Sequence, residues 1–522
     1  MIESSDGQTR APASGPDRLA LAAANATIGS AFTSQVMLRD GEIALQEGER
    51  RLSYRQLNER VNRLANHMLK LGVNRGDRIA LLSENRCEFV EVELAAAKLG
   101  VITACLNWRQ ADRELSHGIY LVDPMLIVTS ERYVPTLARL GCEVPHKLTL
   151  GYERALARAN DAGEPPPLAE AEDGLVILYT SGTTGMPKAA VVSHRAMIFR
   201  MLVYALDRPL AREDSYVAWG PLFHMGSTDS TFATLLRGGK VIIVDGFDAA
   251  AIAAIVATEQ LGMLHLNSAV IDRLLDHMKR NNLQPKGMKG VGVMADLVPR
   301  QTIAELTALM NAPYGNTFGS TETGSVPASK GTIPIGIVPD RLSKVQSSLC
   351  ELRLVDDRDQ DVPDGEPGEA LVRSPCLFSG YWRAPDVNAE VFRGGWFHMG
   401  DILRRNPDRT LDFVDRRKYL IKSGGENIYP AEIEEILLGS PRIASAAVVK
   451  RPDVRWGEVP VAFVVARDDG LTAEEVVSLC RGKIANYKLP KEVRFLREQD
   501  VPRSTSGKIV RHELEKRLVT AP

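Results

Sequence analysis

The stretch Leu178-Tyr-Thr-Ser-Gly-Thr-Thr-Gly-Met-Pro-Lys-Ala-Ala-Val-Val-Ser-His194 constrains this chain more than any other. It follows Gly174-Leu-Val-Ile-Leu178, a short apolar run of the kind that makes a buried strand, so the hydroxyls and glycines fall at a strand exit. Gly182 and Gly185 leave the backbone free to turn its N–H groups toward one point. Thr180, Ser181, Thr183 and Thr184 add hydroxyls, and Lys188 adds a positive charge suited to polyphosphate. An ordinary Ser/Gly turn is the bland alternative, and an unbroken hydroxyl-and-glycine run closing on Pro-Lys disfavours it. The Walker A loop is excluded by register: Lys188 stands three residues after Gly185, and Ala189 occupies the place of the magnesium-binding hydroxyl.

At 522 residues the chain exceeds what one core usually supports, so two or more domains are expected. A net charge of -2 leaves no electrostatic footprint for nucleic acid or an anionic membrane. The six cysteines are scattered without a Cys-x-x-Cys pair and read as reduced thiols of a cytoplasmic protein. The longest apolar stretches are interrupted by Lys98 and Glu259, so no transmembrane segment is expected, and the opening Met-Ile-Glu-Ser-Ser-Asp lacks the basic start of a secretory signal.

Residues 1–26 read as a loose arm. From Thr27, strand-like runs such as Arg78–Ser83 and Val101–Leu106 alternate with amphipathic stretches such as Tyr54–Leu71 and Glu88–Leu99, implying parallel strands crossed by helices. The rhythm continues through Lys240–Val244, Ala249–Thr258, Gly262–Leu266 and Asn267–Lys279. Between Leu349 and Val372 it changes to short strands separated by Asp/Pro/Gly turns. After Val414 it changes again, into a compact region of small-domain size.

Further stretches carry residue types suited to chemistry. Tyr314-Gly-Asn-Thr-Phe-Gly-Ser-Thr-Glu-Thr-Gly324 places a ring, a glycine, a hydroxyl and a carboxylate close together, a set able to stack a base, approach a phosphate and hold Mg²⁺, or merely to turn. In Gly394-Gly-Trp-Phe-His-Met-Gly-Asp401 the closing carboxylate could accept two ribose hydroxyls or cap a helix. The charged run Asp415–Glu434 suits a solvated hairpin or, at a change of composition, an interdomain junction in which Gly424 and Gly425 allow close approach. Lys508 lies in the polar loop Val501-Pro-Arg-Ser-Thr-Ser-Gly-Lys-Ile509, where a surface lysine is the plain reading. His224, in Gly220-Pro-Leu-Phe-His-Met-Gly226, reads by itself as a core histidine.

Taken together and in this order, these blocks resemble the adenylate-forming enzymes, the superfamily of acyl-CoA synthetases, peptide-synthetase adenylation domains and luciferases, from about Thr27 to the C-terminus. The resemblance implies an α/β fold, with a large N-terminal domain (27–415) of parallel-sheet subdomains plus a β-rich lobe, and a small mobile α+β C-terminal lid (416–522). It assigns the phosphates to Thr180–Gly185 and Lys188, the adenine to Phe318 and Gly319, a phosphate contact to Thr321, and Mg²⁺ to Glu322 with Thr180. The ribose falls to Asp401 and Arg416, the hinge to Lys418, the thiol tunnel of coenzyme A to Ser423, Gly424, Gly425 and Glu426, and the adenylation lysine to Lys508. His224 then positions substrate, and the acid pocket draws on Met225–Phe232, His265–Val270 (Asn267 and Ser268 among them) and Thr317–Ser320, including Gly319.

The implied activity is conversion of an apolar carboxylic acid (fatty, alicyclic or aryl) and ATP to acyl-AMP and pyrophosphate, then thioester formation with coenzyme A. Loading of a separate carrier protein is the alternative, although no carrier segment follows Pro522. A luciferase-like oxygenase and a non-catalytic ATP-binding protein stand further off. Met225 holds the place of the carboxylate that pairs with amino-acid substrates, which disfavours a cationic acid. Lys508 also resembles a site of regulatory lysine acetylation, and a homodimer is compatible with the sequence. Two stretches depart from the family pattern: Val291–Asp296, where a Gly-Gly-Ala-like adenine wall is usual, and Gly324–Leu354, where the usual Arg and Gly-rich strand lead-in appears as Ser343–Cys350.

Overall fold

The structure, a computed structural model, describes residues 25–149, 161–180, 186–423, 426–503 and 508–519. Nearly all of the expected arm, and Ser181–Gly185, Gly424 and Gly425 of the expected site, lie outside the described residues.

Two compact units make up the chain. The first holds the residues up to Met201 together with Pro221–Asp245 and Phe378–Trp382. Its centre is a seven-stranded sheet in the order Gly380–Tyr381, Lys188–Ser193, Gly174–Thr180, Ile102–Cys105, Arg78–Leu82, Leu126–Thr129, His146–Thr149. From Gly174–Thr180 outward to His146–Thr149 the strands are parallel, as the alternating pattern leads one to expect. The strand Lys188–Ser193 instead returns antiparallel, and Gly380–Tyr381 pairs antiparallel with it. A parallel crossover needs about a dozen residues or more, and only 181–187 are available, so the chain can only fold back as a hairpin.

Local sequence accounts for the helices that flank this sheet. Tyr54–Lys70 starts at a Ser53/Gln56 capping box and buries Leu57, Val61, Leu64, Ala65 and Met68 along one stripe. Cys87–Leu99 is buried on all sides and ends at Gly100, whose φ of 67° favours glycine. Glu88 pairs with Arg50 at 2.6 Å and Glu91 with Arg60 at 2.6 Å, whereas burial raises the Glu93 carboxyl to about 8, one oxygen meeting Cys105 Sγ and the other lacking a hydrogen-bond partner among the described residues. Where the described chain begins, Asn25 donates to the Ala169 carbonyl and accepts from the Ala171 amide, and the Ile28 amide donates to Nδ1 of the buried His194.

The second unit holds Leu202–Gly220, Gly246–Leu377 and the chain from Arg383 onward. Leu261–Leu264, Met288–Val291 and Tyr314–Gly315 run parallel and are closed by antiparallel Thr332–Ile333. The β-rich lobe is an antiparallel sheet in the order Glu351–Val355, Pro367–Arg373, Phe397–Arg405, Leu411–Arg416. Beyond it, Ile443–Asp453 and Gly457–Ala466 form a long hairpin joined by Ile421–Ser423 and Glu492–Phe495, with its own core around Ile421, Ile433, Leu437, Val448 and Val464. The sheet of the lobe thus runs through Val414 to Arg416, and the next sheet begins at Ile421. All six cysteines are free thiols, and no helix among the described residues is long and apolar enough to cross a membrane.

The His194 anchor has a pH signature. Burial pushes its imidazole down to about 4, so the ring stays neutral and can accept from Ile28. The depressed value means that the unfolded chain binds this proton first, so stability is complete above the ordinary histidine range and is lost as pH falls toward 4. The difference corresponds to about 3 kcal/mol. Thermal melting between neutral pH and about pH 4 should fall steeply, and less steeply in His194→Gln. Equal slopes in the two proteins would contradict this account.

Candidate active site

The organising stretch opens and closes in strands. Thr180 and Lys188 are direct cross-strand partners, so the two flanks of residues 181–187 meet at one point of the sheet. The Lys188 ammonium lies 5.1 Å from the centre of the Tyr381 ring, and His117 Nε2 is 3.3 Å from the Pro187 carbonyl.

On the same unit, His224 occupies the N-cap position of helix Met225–Arg237 and is exposed, so it is not a core histidine. Asn85 pins its turn: Oδ1 accepts from the Leu222 amide at 2.8 Å, and Nδ2 donates to the Val244 carbonyl at 3.1 Å. Met225 is half-buried at the first helical position. Asp229 faces Arg200 Nη1 at 3.4 Å, so the one nearby carboxylate is already engaged by a cation. Burial raises the Asp229 carboxyl and Arg200 opposes the rise.

In the second unit the strands Phe318–Ser320 and Gly324–Ala328 form a tight hairpin. A Cβ on Gly319 would lie 1.9 Å from the Gly324 carbonyl oxygen, so only glycine fits there. Thr323 braces the turn, accepting from the Ser320 amide at 3.0 Å and donating to the Val326 carbonyl at 2.5 Å. Thr321 and Glu322 are thereby held, half-buried, at its tip. Phe318 is only 6% exposed and packs on Phe413 with ring centres 5.1 Å apart, so it belongs to the core of the lobe and offers a base a narrow edge.

The strongest convergence lies at the end of the lobe. Asp401 and Arg416 stand opposite each other on adjacent antiparallel strands, and Arg416 Nε is 3.0 Å from Asp401 Oδ1. Asp401 is 1% exposed, and despite that closeness its Oδ1 accepts no well-aligned hydrogen bond among the described residues. Burial raises the Asp401 carboxyl, against the pull of Arg416 and then Lys508. Asp415, also buried, accepts from its neighbour's amide at 2.6 Å and from the Ala431 amide at 2.8 Å, fixing the strand end to the region beyond.

The chain on either side of residues 504–507, just before Lys508, is joined by the bridge Arg503–Ile509 and by Val510 donating to the Pro502 carbonyl. The residue is exposed over much of its surface, yet neighbouring protein atoms strip water from its ammonium. That loss, and next the Arg416 charge, draw it down to about 8, while Asp401 and Glu322 oppose the fall. Five expected site residues, Glu322, Asp401, Arg416, Lys418 and Lys508, thus share one electrostatic neighbourhood. Ser423 and Glu426 close a hairpin in register, with Ser423 buried and Glu426 exposed. Asn267 caps helix Ser268–Arg280 by accepting from the Ala269 amide at 3.1 Å, and Ser268 is exposed.

The two atypical stretches account for each other. Lys344 is 1% exposed and donates through Nζ to Asp296 Oδ1 at 2.7 Å and to the Leu342 carbonyl at 3.1 Å. The departures at Val291–Asp296 and Ser343–Cys350 therefore form one ion pair. Pairing across 48 positions is invisible in a string, although both halves stand out there as deviations. Asn85 carries no comparable signal. Lys344→Met should cost about 3 kcal/mol by leaving Asp296 without its partner, and adding Asp296→Leu should recover part of the loss. Urea denaturation reads both values, and a silent single substitution would contradict the pairing.

The sequence matches the family described as AMP-binding enzyme over residues 32–382, and the AMP-binding enzyme C-terminal domain over 432–508. It is 32% identical over 506 residues to a feruloyl-CoA synthase of Amycolatopsis, covering 95% of this chain and 99% of that protein. It is 34% identical over 491 residues to an indoleacetate–CoA ligase of Aromatoleum aromaticum, covering 90% and 94%. Among solved structures, o-succinylbenzoate CoA synthetase from Bacillus subtilis, in complex with its acyl-adenylate intermediate, superposes with a TM-score of 0.83 at 25% identity, covering 93% of this chain and 97% of that one.

Proposed function

The chain belongs to the AMP-binding enzyme family, and from that membership we infer that it is an AMP-forming acid–thiol ligase that joins an apolar, preferentially aryl, carboxylic acid to coenzyme A. The observation that carries the chemistry is the gathering of Arg416, Glu322 and Lys508 around the buried Asp401 carboxylate, whose Oδ1 has no aligned donor among the described residues. An adenosine ribose has the hydroxyl donors that this oxygen lacks, so the residues present fit ATP. The relatives named for feruloyl and indoleacetate substrates support the aryl preference.

In this reading Thr180 and Lys188 serve the polyphosphate, Thr321 contacts phosphate, and Asp401 with Arg416 holds the ribose. Glu322 would hold Mg²⁺ together with phosphate oxygens, as that ion commonly sits on one or two carboxylates, and the ion supplies charge neutralisation. Lys508 meets the negative charge that develops as a carboxylate oxygen attacks the α-phosphorus and pyrophosphate leaves. After a lid movement, Ser423 and Glu426 flank the path of the thiol, whose sulfur displaces AMP from the acyl carbon. Residues 27–415 and 416–522 act in this scheme as body and lid.

A panel of carboxylic acids, scored for AMP release with and without coenzyme A, tests the reading. Aryl acids should give coenzyme A-dependent AMP release, whereas adenylate formation without thiol-dependent turnover would favour a carrier-protein acceptor. Lys508→Ala should slow adenylate formation by about a hundredfold or more yet spare thioester synthesis from supplied acyl-AMP, and acetylation at Lys508 should do the same. Equal loss of both steps would make Lys508 structural.

The pH profile gives an independent check. Because the Lys508 ammonium is depressed to about 8, it is charged below that value and neutral above it. Adenylation, read as kcat/KM for ATP, should fall as pH rises through about 8. A flat profile across that range would contradict the role.

A further inference from the structure

Arg208, just past the end of helix His194–Asp207, is 5% exposed, and its Nε and Nη2 are buried without a hydrogen-bond partner among the described residues. The adjacent Asp207 is occupied elsewhere: Oδ2 accepts the Ser348 amide at 3.1 Å and the Ser329 hydroxyl. A guanidinium does not shed its charge, so this is a cation withdrawn from water, felt by the nearby Tyr204 and Asp207 but with Nε and Nη2 unspent. Such an arrangement costs several kcal/mol unless an anion answers it.

Its surroundings say where that anion would come from. Arg208 Nη1 lies 3.6 Å from the point a Cβ would occupy on Gly315, and Met263 Cε lies 3.0 Å from the same point. The guanidinium therefore rests over a glycine, against the sheet face that Met263 occupies. Two residues beyond Met263, His265 Nε2 meets the Tyr204 hydroxyl at 3.1 Å, and Tyr204 is one helical turn before Arg208. Trp219 Nε1 donates to the His265 carbonyl at 2.7 Å. Tyr204, His265 and Trp219 are half-buried and keep an accessible edge, while Arg208 lies deeper. Burial, and next the Arg208 charge, push His265 down to about 4, so it stays neutral and Arg208 supplies the positive charge of this group. Arg208 thus adjoins His265, the first residue of a span that the family resemblance assigns to the acid pocket.

We propose that Arg208 is a specificity-determining residue that receives a second carboxylate, so that the preferred substrate is a dicarboxylic acid with an apolar or aryl body. One carboxylate is activated, and the distal one forms a charge-assisted, fork-like pair with the guanidinium. The proposal rests on the ligase reading above and narrows its substrate class.

The test uses matched pairs of aryl acids that differ only in a distal carboxylate, with kcat/KM taken from coenzyme A-dependent AMP release. The wild-type protein should prefer the dicarboxylic member by about tenfold to a hundredfold, the range expected for hydrogen bonds to a charged group. Arg208→Met should abolish or reverse that preference, mainly through KM for the dicarboxylic acid, and leave turnover of the monocarboxylic member largely intact. A readout apart from turnover is thermal melting. Arg208→Met should melt no lower than wild type, because it removes an unanswered buried charge, and the dicarboxylic acid should raise the melting temperature of wild type alone. An unchanged preference in the variant, or an equal loss of kcat on both members, would overturn the role of Arg208. Absence of AMP release with every acid would overturn the ligase reading and this proposal with it.

Discussion

A carboxylate taken almost completely out of water has to be answered by positive charge, and Asp401 is answered by Arg416 across the strand and by Lys508 from the far end of the chain. The antiparallel register of Phe397–Arg405 with Leu411–Arg416 puts the first two opposite each other without help from any loop. On the far side, a bridge between Arg503 and Ile509 and the Val510 amide donating to the Pro502 carbonyl set where Lys508 stands. In the proposed two-step scheme the first step uses the Lys508 charge and the second proceeds without it.

The same logic of buried charge recurs elsewhere with different outcomes. Lys344 is buried and fully answered by Asp296 and a carbonyl, so it stabilises the wall it belongs to. Glu88 and Glu91 of helix Cys87–Leu99 are answered in the same way, by Arg50 and Arg60. Arg208 differs in having donors left over. A buried guanidinium with two nitrogens lacking hydrogen-bond partners among the described residues marks a place for a ligand.

Much of this was legible in the string, and for physical reasons. The capping residues before Tyr54–Lys70, the glycine after Cys87–Leu99 and the alternation of strand and helix are local signals, and the structure follows them. The stretches that bring Glu322, Asp401, Arg416 and Lys508 into one neighbourhood also stood out in the string, each setting a charge close to glycines or hydroxyls. What escaped was non-local or conformational. The hairpin return of Lys188–Ser193 follows from loop length and not from strand composition. The Lys344–Asp296 pair joins two segments that separately look only irregular. Phe318 reads as an open aromatic platform, yet Phe413 draws its ring into the core of the lobe. Nor does anything in Asp207-Arg208-Pro209 distinguish a buried guanidinium from one that caps a helix toward solvent.

A crystal structure with a hydrolysis-resistant acyl-adenylate analogue tests the central claim most directly. The account predicts ribose hydroxyls within hydrogen-bonding distance of the Asp401 carboxylate, Arg416 beside the same sugar, and the Lys508 ammonium directed at the acyl-phosphate oxygens. A nucleotide bound elsewhere, with Asp401 still lacking an aligned donor, would contradict it.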